Sequence, residues 1–370
     1  MTFSVASDSL APAALFVREA GEGDRAAWQA FVERVAPRTH AFDWAWRGVI
    51  ADAFGHEPHY LAAFDSGGGI AGVLPLFFVR SLLFGRLLVS IPYLSGGGIL
   101  AANPGAVAAL HEAARELGGR LRVRRIELRH RWEMPALGEA GDAVSALPAH
   151  RHKVAMILAL QPDADATFAS LPSKLRTRIR RPMRSHLEAR VTDGTSFSDS
   201  ELDGFYPVFS RRMRDLGTPV YPRRFFELTL RAHGPRCRLV TVWDREEPAA
   251  GGVVVASGGY IENPWVSASR RHDHLLPNLL VYWEMIKAGC ALGCQEFDFG
   301  RSTVGSGTYQ FKLQWGARPR PLVWHYSLLE GDAPAADPHH GSFSLPVRAW
   351  QRLPLIMANR LGPWLVRGLP

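Results

Sequence analysis

The stretch RLVTVWDREEPAAGGVVVAS, residues 238–257, decides the fold class because it is typical of a β-hairpin. An apolar run reaches a charged turn that ends at Pro248, and a second apolar run follows. The stretch YLAAFDSGGGIAGVLPLFF, residues 60–78, has the same plan, with its turn at residues 65–69. One such hairpin in each half predicts an internal duplication, although hairpins are common enough that the pattern alone leaves the duplication open.

Helical patterns surround both hairpins. Apolar residues at three-to-four-residue spacing predict a helix before the first hairpin and another after the second. These residues are Trp46, Val49, Ile50, Ala53 and Phe54 in the first helix, and Leu279, Trp283, Ile286 and Cys290 in the second. Pro277 fits the first turn of the second helix, and Gly289 or Gly293 fits its end. Helices mixed with strands in this way predict an α/β or α+β fold with mixed sheets.

Length and composition predict two domains. The chain has 370 residues, of which 47% are hydrophobic and 21% are charged, which is enough for about two cores. The boundary is expected in ALPAHRHK, residues 146–153, which gives domains at 1–147 and 148–330 and a tail at 331–370.

Several classes of protein do not fit the sequence. No apolar run reaches the roughly 18 residues of a membrane-spanning helix, and the N-terminal stretch MTFSVASDSLAPAALFVREA has no basic segment before its apolar residues. We therefore expect a cytoplasmic protein. Cys237, Cys290 and Cys294 are too few for a disulfide framework, so buried thiols and no metal site are expected. The net charge of +8 indicates an anionic partner, or a basic surface that is only solvated.

The most basic stretch, SLPSKLRTRIRRPMRSHLEARV at residues 170–191, predicts a basic helix. Its apolar stripe consists of Leu175, Ile179, Met183 and Leu187. Cations recur at helical spacing, among them Lys174, Arg176 and Arg180. Like charges at this spacing cost about 0.2–0.5 kcal/mol per pair, and an anionic partner would relieve that cost. A solvated basic face is the alternative, and Pro182 predicts a kink or a break.

Five stretches together resemble the FemAB family of peptidyltransferase-like proteins. They are SKLRTRIRR (173–181), PNLLVYWEMIKAG (277–289), FDFGRSTVGSGTYQFKLQWG (297–316), FGHEPHYLAAF (54–64) and GVLPLFFVRSLLFGRLLVSIPYLSGGGIL (72–100). The resemblance covers nearly the whole chain and is closest to the branch associated with exosortase and PEP-CTERM exopolysaccharide systems. It implies two tandem domains of the Gcn5-related N-acetyltransferase (GNAT) fold. It also implies transfer of an acyl or aminoacyl group to an amine of a cell-envelope or exopolysaccharide-related acceptor.

Acyl transfer to an amine passes through a tetrahedral oxyanion, which needs a fixed positive charge, and the amine must lose a proton. Lys312, expected at a strand edge, is the candidate for that charge, and the lysine of the FK motif has a comparable part in similar family members. Asp298 is the candidate base or lysine-orienting acid. Arg301 and Ser302 are candidates for binding a phosphate or carboxylate. The alternative roles are structural: Lys312 as a surface lysine, Arg301 in an ion pair with Asp298, and Ser302 as the cap of a turn.

The remaining candidate substrate-binding residues are Tyr309, Asn278, Lys174, Arg176 and Arg180. Tyr309 is expected in a wall or the core, and Asn278 at a helix start that suits a phosphate. No cofactor is firmly implied. The donor is aminoacyl-tRNA, as in better-understood family members, or acyl-coenzyme A, although the segment VSASRRHDHLLPN at residues 266–278 lacks the glycines of a pyrophosphate cradle.

Two further hypotheses concern partners. The alternative to an enzyme is a non-catalytic relative that holds RNA or an anionic polysaccharide on the basic helix. An enzyme should place Lys312 and Arg301 in one concave pocket, whereas a binder needs only an exposed basic face. The tail from residue 338 onward has arginines and tryptophans but no acid, which suits the inner face of an anionic membrane. Packing of the tail onto the C-terminal domain is the alternative, and Pro354 and Pro363 are expected to break its helices.

Overall fold

The computed structural model describes residues 15–131, 144, 147–331 and 344–369. The strands are β1 Phe16–Glu19, β2 Glu57–Phe64, β3 Ile70–Ser81, β4 Gly85–Ser90, β5 Leu100–Ala101, β6 Arg125–His130, β7 Ala149–His150, β8 Lys153–Ala159, β9 Leu187–Asp193, β10 Cys237–Asp244, β11 Glu247–Ser257, β12 Tyr260–Ala268, β13 Glu296–Thr303, β14 Arg318–Pro321 and β15 Val323–Leu328. The helices are α1 Arg25–Val35, α2 Ala45–Phe54, α3 Pro104–Leu121, α4 Ala164–Ser170, α5 Ser173–Met183, α6 Asp199–Asp215, α7 Arg223–His233, α8 Pro277–Ala291, α9 Gly307–Leu313, α10 Ser344–Gln351 and α11 Leu355–Val366.

Two mixed sheets have the same strand order. The first runs β1-β2-β3-β4-β6-β15-β7, with β5 attached to β3, and the second runs β9-β10-β11-β12-β13-β8-β14. In each sheet only the fourth and fifth strands are parallel, namely β4 with β6 and β12 with β13, and a helix connects them. The hairpins β2–β3 and β10–β11 occupy equivalent positions. The predicted hairpins and the mixed α/β class are therefore confirmed, and the two sheets share one plan.

The second half of the chain contributes strands to the first sheet. Strand β15, which comes after the whole second sheet, pairs with β6 and completes the first sheet. Strand β8, which directly follows the N-terminal half, takes the matching position beside β13 in the second sheet. The limits at residues 147 and 330 stay a prediction. The first sheet contains chain from both sides of residue 147, through β7 and β15, whereas every strand of the second sheet comes after that residue.

A shared aromatic core joins the two halves. Buried side chains of α2, among them Trp46 and Phe54, pack against Phe225 of α7. The Phe54 and Phe225 ring centroids are 5.1 Å apart. Burying several aromatic side chains of this size contributes a large share of the apolar stabilisation of a domain. The two halves are thus parts of one packed unit in this region.

The basic helix is shorter than the sequence predicts. It ends at Met183, directly after Pro182, and residues 187–193 form β9 instead of a further helical turn. Met183 is 48% exposed, so the apolar stripe consists of Leu175 and Ile179 together with the buried Pro182. The missing N–H of proline ends the helix, and the chain gains strand pairing with β10.

Other expectations about local structure are settled as follows. Gly293 has a positive φ of 70° just past the end of α8, whereas Gly289 lies inside the helix. Pro354 separates α10 from α11, as predicted, but Pro363 lies inside α11, so the prediction of a break there was wrong. Close packing of Gly362 against Val220 holds that turn in place. All three cysteines are buried and free. None of the helices in the described ranges is both long and apolar enough to cross a bilayer.

Candidate functional site

The two parallel strands of the second sheet separate at one end and open a cleft. Strands β12 and β13 pair only from Tyr260–Glu296 to Glu262–Asp298. At the next step Gly300 approaches the backbone of Asn263 so closely that a Cβ would lie 2.6 Å from the carbonyl oxygen. The positive φ of Gly300, 75°, and a bulge between Asp298 and Arg301 turn β13 away from β12. Glycine is needed here because any side chain would push the strands apart.

The cleft has a volume of about 550 Å³ and receives residues from both halves of the chain. Its walls are residues 263–268 of β12 and 299–301 of β13, with Asn278 and Tyr282 of α8 behind them. Residues of α6, α9 and the loop after β4, including Tyr93, complete the rim. Clefts of this size, with a few convergent polar groups in an apolar wall, are the usual form of a small-molecule site.

Lys312 lines the cleft from helix α9, not from a strand edge as the sequence predicts. The Ser306 hydroxyl accepts a hydrogen bond from the Tyr309 amide and so starts this short helix. Lys312 is 5% exposed, and its Nζ donates to the carbonyl oxygens of Gly300 and Arg301 at 2.9 and 3.1 Å. Burial lowers the pKa of Lys312 to about 8, and the nearby Asp298 charge opposes that shift.

An ammonium group has three N–H donors, and two of those on Lys312 are used by the bulge of β13. Among the described residues no third acceptor is found, so one donor is available to the cleft. The lysine is thereby fixed in place and retains one hydrogen bond for a ligand.

Arg301 lies in the same cleft and is exposed. Within the described ranges its guanidinium forms no ion pair, so the alternative pairing with Asp298 is not present. The guanidinium carbon lies 5.2 Å from the centre of the Trp324 ring, and the guanidinium carbon of Arg129 lies 4.5 Å from the same centre. A guanidinium held against an aromatic ring and left without a carboxylate is well suited to bind an anion.

Asp298 is buried beneath the cleft and does not line it. Its carboxylate accepts hydrogen bonds from Arg131, from the Tyr260 hydroxyl and from the Gly300 amide. Burial raises the pKa of Asp298 to about 6, against the opposing charge of Arg131. This geometry suits a group that positions the Gly300 turn and Lys312, and it does not suit direct contact with a substrate amine.

Arg131 comes from the first half of the chain and joins the two halves electrostatically. Besides Asp298 it contacts Glu262, which also pairs with His40 at 3.0 Å. Burial alone would raise the pKa of Glu262, but Arg131 and His40 outweigh burial and lower the pKa to about 2. The cleft therefore rests on a buried ion network that neither half could form alone.

The structure divides the other predicted site residues into two groups. Asn278 lines the cleft at the start of α8. Ser302 is buried in β13, and its hydroxyl has no hydrogen-bond partner among the described residues, so it does not cap a turn. Tyr309 packs on the core and is not in the cleft wall.

The basic helix lies beside the cleft and not inside it. Lys174 and Arg180 are exposed and Arg176 is half-buried, and none of the three lines the cleft. Arg178 of the same helix donates to Gln314 at 3.1 Å, two residues beyond Lys312. In the described ranges the cations of α5 have no carboxylate partner, so they remain available to an anion.

Asp273 is a site residue that the sequence analysis did not single out. It lies in the 3-10 helix Arg270–Leu275 and is exposed. Among the described residues that line the cleft, it is the only one with a carboxylate. The available signal was an acid within the cluster RRHDH, residues 270–274, directly before a helix. In the same part of the chain covered by the coordinates, no three potential metal ligands lie together.

Comparisons with known proteins agree with this architecture. The family model described as "Acetyltransferase (GNAT) domain" matches residues 173–313. The crystal structure of FemX is similar at 15% identity with a TM-score of 0.65, covering 85% of this chain and 97% of FemX. A tandem GNAT protein from the clavulanic acid biosynthesis pathway is similar at 12% identity with a TM-score of 0.54, covering 86% of this chain and 100% of that one. No curated protein sequence matches.

L-PGS from Bacillus licheniformis is also similar, at 14% identity with a TM-score of 0.52, covering 93% of this chain and 98% of L-PGS. These identities are low enough that the similarities show the fold alone. Residues 173–313 thus form a GNAT-type domain within a FemAB-like fold.

Proposed function

We propose that this protein is an acyltransferase that moves an aminoacyl or acyl group onto an amine in the cleft between β12 and β13. The observation that carries the proposal is that Lys312 and Arg301 share one concave site, as an enzyme requires and a simple binder of polyanions does not. The proposed unit is the tandem pair at residues 1–147 and 148–330.

In the proposed reaction the acceptor amine attacks the carbonyl carbon of a thioester or ester donor. The carbonyl oxygen becomes an oxyanion, and the free N–H of Lys312 stabilises it. The amine loses a proton, and Asp273 is the cleft carboxylate that accepts it. Asp298 does not accept this proton, because it is buried and paired with Arg131. Collapse of the intermediate forms the amide and expels the thiolate or hydroxyl of the donor.

Two features of the cleft bear on the substrates. Beyond Glu262 none of the described strands pairs with the edge of β12 on the β13 side, so an extended arm that contains amide groups can add to it. Arg301 and Arg270 line the cleft and suit a phosphate or carboxylate of either substrate. The unpaired cations of α5, next to α9, suit the backbone of a tRNA donor.

The finer parts of the proposal follow from the resemblance in sequence. We assign the chain to the FemAB branch of exosortase and PEP-CTERM systems, with an acceptor related to the cell envelope or to an exopolysaccharide. The proposed location is the cytoplasm, at the inner face of the membrane. Acyl-coenzyme A and aminoacyl-tRNA are the two donors to be compared, and neither a metal nor a tightly held cofactor takes part in the proposed steps.

The test measures transfer with both donors. The purified chain is incubated with radiolabelled acetyl-coenzyme A or with charged aminoacyl-tRNA, together with an extract of amine-bearing metabolites, and products are identified by mass spectrometry. Lys312→Ala and Arg301→Ala are each expected to lower the rate about 10²- to 10³-fold while the melting temperature changes little. Lys287→Ala, at a half-buried lysine that is paired with Glu284, is the matched control and should be fully active.

The result that contradicts the proposal is equal loss of folding and transfer in the Lys312 and Arg301 variants. Comparable loss in Lys287→Ala would equally show that the assay does not report on the cleft. Asp273→Asn and Asp298→Asn separate the two carboxylates. Removal of the proton acceptor lowers the rate at unchanged melting temperature, whereas removal of a positioning group lowers both.

A further inference from the structure

The tail packs on the molecule through one face of α11 and leaves the opposite face exposed. Ala358, Gly362 and Val366 recur at every fourth position and are buried. On the other side five large apolar side chains are exposed, with Ile356 at 71% and Trp364 at 53%. The set is Ile356, Met357, Leu361, Trp364 and Leu365. Exposed apolar residues scattered singly are ordinary, but five on one short helix form a patch.

The tip of the β3–β4 hairpin adjoins the end of this helix. Leu82 is 92% exposed and Leu83 is 66% exposed. A Cβ built on Gly368, just past α11, would lie 3.7 Å from Ser81 Oγ, so the tail ends against the residue that precedes this tip. The five tail residues together with Leu82 and Leu83 are called the docking face below. Such exposure means that the two leucines pack little against the described part of the chain.

The docking face is surrounded by cations and free of acids. Five exposed arginines flank it, namely Arg80, Arg86, Arg352, Arg360 and Arg367. None of them has a carboxylate partner among the residues that the coordinates describe. The segments 79–88 and 344–369 contain no aspartate or glutamate. Apolar side chains bordered by unpaired arginines and a tryptophan are the complement of an anionic lipid surface.

We infer that the docking face binds the surface of an anionic lipid bilayer, with the Leu82–Leu83 tip and α11 entering the headgroup region together. Helix α11 is too short to span a bilayer, so it lies along the interface. Each arginine near an anionic surface strengthens binding roughly fivefold. The hairpin belongs to the first sheet and the tail to the other end of the chain, so binding fixes the whole molecule in one orientation.

That orientation brings the cleft close to the membrane. Val220, which contacts Gly362 of α11, is followed by Tyr221 in the cleft wall. Leu216 likewise lines the cleft, and the adjacent Gly217 contacts Val347 of α10. The docking face would deliver a lipid-borne acceptor to the cleft, and this use of the face rests on the proposed function. Binding of the face to a bilayer does not depend on that function.

The test is sedimentation of the full chain with vesicles of phosphatidylcholine that contain about one-third phosphatidylglycerol. Leu82→Ser/Leu83→Ser removes the hairpin part, and Ile356→Ser/Trp364→Ser removes the tail part. Each pair is expected to weaken binding at least tenfold. Val191→Ser, at an exposed apolar residue of β9, is the matched control and should bind like the unchanged chain. All substituted residues are exposed, and thermal melts verify that the variants fold.

Binding should require phosphatidylglycerol and weaken with salt. The inference is overturned if the unchanged chain does not bind, if pure phosphatidylcholine serves equally well, or if the Leu82/Leu83 variant binds normally. Sedimentation velocity without vesicles tests whether the docking face instead binds a second copy of the chain. A dimer that both variants abolish would show that it does, and would overturn the inference. Transfer to a soluble amine should remain unchanged in both variants, so failure of vesicle binding and failure of the proposed reaction are separate results.

Discussion

The alkaline limb of the pH–rate profile should belong to Lys312. Burial lowers the pKa of this lysine to about 8, and only the ammonium form can stabilise an oxyanion. With that pKa about nine-tenths of the protein carries the charge at pH 7 and about one-tenth at pH 9. Lys312→Arg keeps a positive charge throughout this range because a guanidinium does not lose its proton.

The assay is kcat/KM of both proteins from pH 6 to pH 10 with one acceptor. Titration of the acceptor amine affects both profiles alike and cancels in the ratio of unchanged enzyme to Lys312→Arg. Whatever the ratio at pH 7, it should fall about tenfold by pH 9. A ratio that is flat across this interval would refute the role of a titrating Lys312 in the transition state.

The same titration should appear in stability, without any substrate. An unfolded lysine has a pKa near 10.5 and the folded one about 8, so between these values the unfolded chain binds more protons. Stability therefore rises with pH in that window. Relative to Lys312→Met, which cannot titrate, the unchanged chain should gain up to roughly 3 kcal/mol in free energy of unfolding between pH 8 and pH 10.5. Chemical denaturation at several pH values measures this difference, and no change in it would contradict the lowered pKa.

Two further predictions concern the support of the cleft. Gly300→Ala should lower both activity and melting temperature, because its Cβ would lie 2.6 Å from the Asn263 oxygen. Gly305→Ala is the control, since Gly305 has a similar φ of 80° but open space around it. Equal effects of the two substitutions would exclude the close approach to Asn263 as the cause. Arg131→Met should lower the free energy of unfolding by about 3–5 kcal/mol, because it leaves the carboxylates of Glu262 and Asp298 buried without their cation, and a loss below about 1 kcal/mol by denaturant titration would count against the network.

Local patterns were enough to predict the hairpins and the helices α2 and α8. Each depends on residues close together in sequence, where periodicity and turn residues determine the structure. The helical position of Lys312 was missed because a strand-like run precedes it. The only sign of a new helix was Ser306, whose hydroxyl caps α9.

Contacts between distant residues could not be predicted in this way. Asp298 was expected to serve Lys312 or Arg301, but its cation is Arg131, which lies 167 positions earlier in the chain. No local pattern connects the two, since their meeting depends on how the sheets pack. The pairing of β15 with β6 has the same origin, because a strand carries no mark of the sheet that it will join.

The duplicated plan explains why the cleft forms only once in the described chain. In the first sheet, the place equivalent to the cleft is the gap beyond the parallel pair β4–β6, and there the chain fills it with its own loop. The Ile99 amide donates to His130 at 3.1 Å, and Arg129 donates to the Leu94 carbonyl at 3.4 Å. Gly98 lies so near His130 that a Cβ would be 2.5 Å from the ring.

The residues of that loop also reach the second sheet. Tyr93 and Ser95 from the filled gap line the rim of the open cleft, and Arg131, just past the end of β6, neutralises the carboxylates beneath it. In the described chain the first half therefore leaves no space for a substrate at the equivalent place, but it supports the second half in the geometry that a substrate needs. This division of roles accounts for the shared core and for the position of β15 in the first sheet, because a cleft lined by both halves of the chain can keep its shape only if the halves cannot separate.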